Sequence, residues 1–187
     1  MGAALTEWQI RTIGEDILPA SDFLANERNW RIHPKPQQGA TEGSLSEVGW
    51  VQRVLVNKRT SPEWGADQGI ETLVDGHLRI TLALRKGDDT PVPVEFVDLT
   101  PHEEALILAT LDPIAEMAAT DRDKLEELLR DVNTGEVALQ EMLAELAEKA
   151  GIDYTAEPPE DFSEYGEDID TEYKCPKCNY EWSGKPK

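Results

Sequence analysis

Cysteine is scarce in this chain: two of its 187 residues, Cys175 and Cys178, both close to the C-terminus. Two thiols so near each other cannot lace a fold together, so a disulfide framework is excluded, and the CxxC spacing belongs to metal or redox chemistry in a reducing compartment. Long apolar runs are missing as well. No stretch approaches the roughly 18 consecutive apolar residues of a membrane helix, and the opening Met-Gly-Ala-Ala-Leu-Thr-Glu lacks the basic-then-apolar order of a secretory leader. A cytoplasmic protein with no membrane partner is expected. Positive charge is also in short supply, with 18 Lys and Arg against 38 Asp and Glu and a net charge of -20. Binding to a phosphate backbone gains most of its affinity by releasing counterions from Lys and Arg contacts, so this balance opposes nonspecific nucleic-acid binding. DNA, if it is a partner, must meet a local basic face. No internal repeat is evident.

With 39% hydrophobic and 30% charged residues, the chain has material for one core of about 100–150 residues plus appendages. Residues 1–12 read as a flexible lead-in. Residues 13–100 read as a mixed α+β domain, 101–150 as a helical segment packed on it, 151–173 as an acidic linker and 174–187 as a CxxC tail. The linker assignment rests on Asp153 to Glu172, which contains no Lys or Arg and therefore repels itself.

Within the core, Gly14 to Phe23 predicts a short strand through Ile17-Leu18 and a turn. Asn26 to Gln38 shows no periodicity and reads as a long loop. Ser44 to Val48 predicts a short helix capped by Ser44 and stopped at Gly49. Arg53 to Asn57 and Glu71 to Asp75 are compact apolar strands separated by a loop over 61–69. Gly76 opens a helix whose Ile80, Ala83 and Leu84 can pack on a sheet. Val92 to Asp98 forms another strand, with Pro93 favouring a sheet edge. The order is β, α, β, β, α, β. Thr100-Pro101 then starts the first of three helices, placed near 101–118, 121–132 and 134–150, with Leu125, Leu128, Leu129 and Val132 on one face and Val137, Leu139, Met142, Leu143 and Leu146 on the last helix.

The residues best suited to chemistry are Val74-Asp75-Gly76-His77-Leu78-Arg79. Here an apolar strand meets a tight turn, and the next helix begins with free backbone N–H groups at its positive end, beside a glycine over which a phosphate can approach. Arg79 is positioned to grip that phosphate in a bidentate fashion. The alternative is that Gly76 only turns the chain and Arg79 pairs with an acidic neighbour.

Asn29-Trp-Arg-Ile-His-Pro34, Ser44-Leu-Ser-Glu-Val-Gly-Trp-Val-Gln-Arg-Val-Leu-Val56, Thr72-Leu-Val-Asp-Gly-His-Leu-Arg79 and Val92-Pro-Val-Glu-Phe-Val-Asp-Leu99, in this order, resemble the ParB-like N-terminal domain of the ParB/sulfiredoxin superfamily. The version they resemble is the nuclease-like one of phage and mobile-element proteins, often found beside DNA methyltransferases. The resemblance covers about residues 15–118. It implies a ParB/sulfiredoxin-like mixed sheet with helices and a nucleotide ligand, ATP or CTP with Mg²⁺. Fold alone does not name a reaction. Gly76, His77 and Arg79 match the family's Gly-x-x-Arg phosphate box. His77 stands where sulfiredoxins carry the reactive Cys, so sulfiredoxin chemistry is excluded, and its difference from the Glu of chromosome-partition members puts their CTP hydrolysis in doubt. His77 is a general base or a phosphate contact on one reading and a structural hydrogen bonder on the other. Asp75 and Glu47 are the carboxylates that the resemblance puts in position to orient Mg²⁺ or a nucleophile. Asn29, Arg31 and His33 occupy the loop that it closes over the ligand, Arg31 as an offsetting cation. His33-Pro34 alternatively just shapes the turn.

Cys175 and Cys178 resemble one knuckle of a zinc ribbon. Zinc needs four ligands in a structural site, so either two tails complete a Cys₄ site in a homodimer or the thiols are free. Three functions compete. The first is an NTP-dependent phosphoryl transfer or hydrolysis enzyme, in which positioning groups suffice for the chemistry. The second is a noncatalytic DNA-associated module, a nucleotide-gated dimer or the accessory of a DNA-modifying enzyme, using the helices of 101–150 as partner surface. Those helices carry no basic recognition stripe. A nuclease ranks last, because the carboxylates show no distinctive spacing. If Arg79 serves the ligand and not the core, its removal leaves the fold intact. Limited proteolysis should cut first within 153–172 and leave a stable fragment near residues 12–150; early cuts inside 70–100 would contradict these boundaries.

Overall fold

Alternation of apolar residues builds the sheet. In the strand Pro91–Val97 (β4), Val92, Val94 and Phe96 are buried while Pro93 and Glu95 are half-exposed, the period of two that lines one face with a core. The computed structural model describes residues 8–154 and the short segments 173–174 and 181–182, and the chain divides into two units, Met1–Ala156 and Glu157–Lys187.

In the first unit, Thr12–Pro19 (β1) runs antiparallel to β4, Val54–Asn57 (β2) parallel to it, and Thr72–Asp75 (β3) antiparallel to β2, so the sheet order is β1-β4-β2-β3. Lys35–Glu47 (α1) falls between β1 and β2, and His77–Lys86 (α2) between β3 and β4. This is a mixed α+β fold in the expected β, α, β, β, α, β order. Ile80 and Ala83 of α2 pack on Val54, Val56, Leu73, Val92, Val94 and Phe96 to form the main core, each large side chain contributing about 1.5–3 kcal/mol by leaving water. Leu84, expected on that face, is exposed, while Leu78 and Leu82 are buried on the opposite side of α2.

Two expectations are corrected. Pro93 sits in an interior strand: β2 pairs with β4 only from Val94 onward, so at Pro93 the strand has a neighbour, Ile17, on one side only and its missing N–H is not needed. The expected loop over 26–38 ends at Pro34, and α1 is a 13-residue helix, not a short one at Ser44. Gly39 and Gly43 hid it, since glycine weakens a helix by about 1 kcal/mol relative to alanine. Their function is close approach. A Cβ on Gly39 would come within 2.9 Å of the Ala138 Cβ, and one on Gly43 within 3.1 Å of the Glu136 Cβ.

Pro101–Glu116 (α3) starts with a capping box in which the Thr100 hydroxyl accepts from the Glu103 N–H and the Glu103 carboxylate accepts from the Thr100 N–H. Arg122–Asp131 (α4) and Val137–Ala150 (α5) follow. Leu129, Ala147 and Ile152 form a second small core with Leu125, Leu143, Ala150 and Tyr154, so the chain stays packed past residue 151. Leu128, Val137, Met142 and Leu146 are exposed. No helix among the described residues is long and apolar enough to cross a membrane. In the second unit, Tyr173–Lys174 (β5) pairs antiparallel with Glu181–Trp182 (β6); Cys175 and Cys178, like residues 155–172 of the expected linker, lie outside the described residues.

A buried carboxylate ties three segments together. Glu104 of α3 is fully buried. Its Oε1 accepts from Asn26 Nδ2 and Arg59 Nη2, both at 2.8 Å, and its Oε2 from Asn57 Nδ2 at 2.8 Å and Arg59 Nε at 3.1 Å. Burial pushes this carboxyl up, but the hydrogen bonds from Arg59, Asn57 and Asn26 and the Arg59 charge outweigh it and hold Glu104 below the ordinary 4.5. Removing one partner of such a pair strands the other, so Glu104→Gln should cost about 3–5 kcal/mol in urea unfolding at neutral pH. A depressed carboxyl contributes stability that is present above its unfolded pKa and lost as pH falls through the folded one. The wild type should therefore weaken below its ordinary 4.5, and the variant should lose that part of the acid dependence.

Candidate functional site

The turn from β3 into α2 is built around Gly76, whose φ of 96° lies in the left-handed region. A side chain there would also collide with Val54, a Cβ coming within 2.6 Å of its Cγ1, so both backbone and space demand glycine. No side chain caps α2. The first backbone hydrogen bond of the helix is Ile80 N–H to Gly76 O, which leaves the N–H groups of His77, Leu78 and Arg79 directed out of the helix start without a protein acceptor among the described residues. They open onto a cleft of about 920 Å³.

That cleft is walled by the 26–34 loop, by Gln37 and Thr41 of α1, by Gln52, and by Ile107, Leu108, Leu111, Asp112, Ala115 and Glu116 of α3. The loop is pinned to α3 where the Trp30 indole donates to Leu108 O at 3.0 Å and Arg31 pairs with Asp112. Asn29 Oδ1 accepts from Arg31 N–H at 3.3 Å, and His33 Nδ1 lies 3.1 Å from Gln37 Oε1. The fold therefore gathers Asn29, Arg31, His33, Asp75, Gly76, His77 and Arg79 around one cavity. Glu47 is not among them: at the far end of α1 it accepts from Thr134 Oγ1, where it ties α1 to the α4–α5 turn.

Arg79 is engaged twice. Its Nη2 meets Asp75 Oδ2 and its Nη1 the Gln52 carbonyl, both at 2.8 Å. The acidic-neighbour alternative is thus realised in the free protein, where Arg79 holds two protein partners. Three of its five N–H groups remain for a ligand. With Asp75 committed to Arg79 and Glu47 elsewhere, these two carboxylates do not make a shared magnesium site, and no group of three or more His, Cys, Asp or Glu is arranged for a metal among the described residues.

His77 is half-buried, and its Nε2 accepts from the Asn26 backbone N–H at 3.3 Å. Burial holds it below the ordinary 6.5; Asp75 opposes this, while His33 and Arg31 add to it. Sequence reasoning missed Trp30, Gln52, Asp112 and Glu116. The signal for the α3 wall was present: Leu106, Ile107, Leu108, Leu111, Ile114 and Ala115 spread around more than one face of the helix, which a helix with a single buried side does not need.

Arg79→Ala strands the Asp75 carboxylate and the Gln52 carbonyl, so urea denaturation should show a loss of about 1–3 kcal/mol. Arg79→Lys should restore only part of it, since one ammonium lacks the planar fork that reaches both acceptors; a variant as stable as wild type would show that these contacts carry no load.

No known family model matches the chain, and no curated protein does. Among solved structures, one similar in fold is the C-terminally truncated chromosome-partitioning protein ParB from Caulobacter crescentus complexed with CTP-gamma-S, at 18% identity and TM-score 0.47, covering 75% of this chain and 72% of that one. A Pnob8-like ParB-N domain is another, at 14% identity and TM-score 0.43, covering 77% of this chain and 52% of that one.

Proposed function

We propose that the cleft binds a nucleoside triphosphate, ATP or CTP with Mg²⁺, with its phosphates at the start of α2. The observation that carries this reading is the uncapped helix start, where three N–H groups without a protein acceptor among the described residues open onto a cavity sized for a small ligand. The sequence resemblance of the same residues to the Gly-x-x-Arg phosphate box supports it. Arg31 and Arg79 also line this cleft, each paired with a carboxylate, Asp112 and Asp75, whose place a phosphate can take.

The anion of a triphosphate competes with Asp112 for Arg31 and takes up the unused N–H groups of Arg79. Phosphoryl transfer or hydrolysis in a phage or mobile-element DNA-processing or DNA-modification setting is the use we assign to the bound nucleotide. Positioning and charge neutralisation supply most of what such a transfer needs.

A second reading is a noncatalytic DNA-associated module in which the nucleotide gates a homodimer or a contact with a DNA-modifying enzyme. It is favoured by α3, which lines the cleft with one side and exposes Leu106 and Ile114, with Met117 just past its end. A ligand that binds only the native state stabilises it by mass action, by about 2.7 kcal/mol at a hundredfold excess over Kd. Thermal unfolding should therefore rise with ATP or CTP and magnesium, and not with the bare nucleoside. Release of inorganic phosphate separates the enzyme from the gated module, and no response to any triphosphate sinks both.

A further inference from the structure

We propose that His77 is a neutral hydrogen-bond donor to an anionic oxygen of the cleft ligand, with its proton fixed on Nδ1 by the main chain of Asn26. The nature of the ligand rests on the nucleotide reading above; the position of the proton rests on the geometry of the free protein.

A main-chain N–H can only donate. Because the Asn26 N–H points to His77 Nε2 at 3.3 Å, that nitrogen presents its lone pair, and a neutral imidazole with a lone pair on Nε2 carries its hydrogen on Nδ1. Asn26 is not free to turn away. It is buried, its Nδ2 donates to Glu104 Oε1 at 2.8 Å, and its Oδ1 accepts from the Arg28 N–H at 3.0 Å. The buried carboxylate thus holds the backbone that selects the tautomer, which makes Asn26 a positioning residue.

The other ring nitrogen is open. No buried side-chain nitrogen or oxygen among the described residues lacks a hydrogen-bond partner, and Nδ1 has none among them, so it is reached by solvent. Since His77 lines the cleft, Nδ1–H adds a side-chain donor beside the free N–H groups of the helix start. A general base needs an unprotonated nitrogen facing its substrate. The only such nitrogen on His77 is held by Asn26, so His77 binds and does not abstract.

The test uses the full chain with ¹⁵N-labelled histidine, in which two-bond proton–nitrogen correlations read the tautomer without any ligand. Substituting each of His33, His77 and His102 in turn assigns the signals. His77 should show a protonated Nδ1 and an unprotonated Nε2, the reverse of the form that free histidine prefers. Titration with ATP, CTP or inorganic tripolyphosphate, each with magnesium, should move Nδ1 and leave Nε2 in place. His77→Asn, whose amide nitrogen stands near Nδ1, should keep triphosphate affinity within a few fold, whereas His77→Leu loses about tenfold, the equivalent of one such bond. A protonated Nε2 overturns the tautomer assignment while leaving nucleotide binding untouched. The expected tautomer with no response to any of the three probes overturns the donor role together with the nucleotide reading. Wild-type affinity in His77→Leu overturns the donor role alone.

Discussion

The Glu104 carboxylate is the constraint on which the other parts depend. It is charged and without contact to water, a state that costs several kcal/mol unless both oxygens are satisfied. Four donors meet that demand, and they come from Asn26 after β1, Asn57 at the end of β2 and Arg59 just beyond it. Satisfying one carboxylate therefore fixes where α3 begins, how the loop after β1 leaves the sheet and which way the chain turns after β2. Arg59 takes a positive φ of 51° to reach it and stacks over the Trp64 ring at 4.2 Å, so the guanidinium is held on its face as well as its edge.

The cleft inherits its shape from that arrangement. Asn26 is at once a ligand of Glu104 and the first residue of the loop that carries Trp30, Arg31 and His33 over the start of α2. Its backbone N–H reaches His77, so one residue links the buried charge to the surface of the cavity. Within the cavity the cations are already compensated, Arg31 by Asp112 and Arg79 by Asp75. An anion entering here exchanges partners with groups that are already in place and does not have to order loose side chains, whose immobilisation would cost about 0.5–1.5 kcal/mol apiece.

The C-terminal helices act on the site at one remove. Gly39 and Gly43 let α5 lie close against α1, and Gln37 and Thr41, two residues earlier in each case, line the cleft. Since a two-residue step on a helix turns the side chain by about 200°, α1 serves as a spacer with α5 on one side and the cavity on the other. Glu47 belongs to the same support: its contact is with Thr134 at the α4–α5 turn, not with a ligand.

That Asn29, Arg31 and His33 come to the start of α2 is what the family resemblance implies, whereas the order of strands and helices in the sheet domain, the turn at Gly76, the Asp75–Arg79 run and the start of α3 at Thr100 are legible in the residues themselves. These features are written in local chemistry: apolar periodicity, residues that cap or turn, and a motif contiguous along the chain. What local chemistry leaves open is which groups become partners. Whether Arg79 has a second partner besides Asp75 in the free protein depends on Gln52 being brought against the start of α2, which no spacing in sequence states. Whether Gly39 and Gly43 break a helix or admit a neighbour depends on Ala138 and Glu136, about a hundred residues later. Glu104 reads in sequence as one more acidic residue in the first turn of a helix, favoured there by the dipole. Only the packing of β2, the loop after β1 and α3 removes it from water, and burial is what turns an ordinary carboxylate into the group that orders the rest.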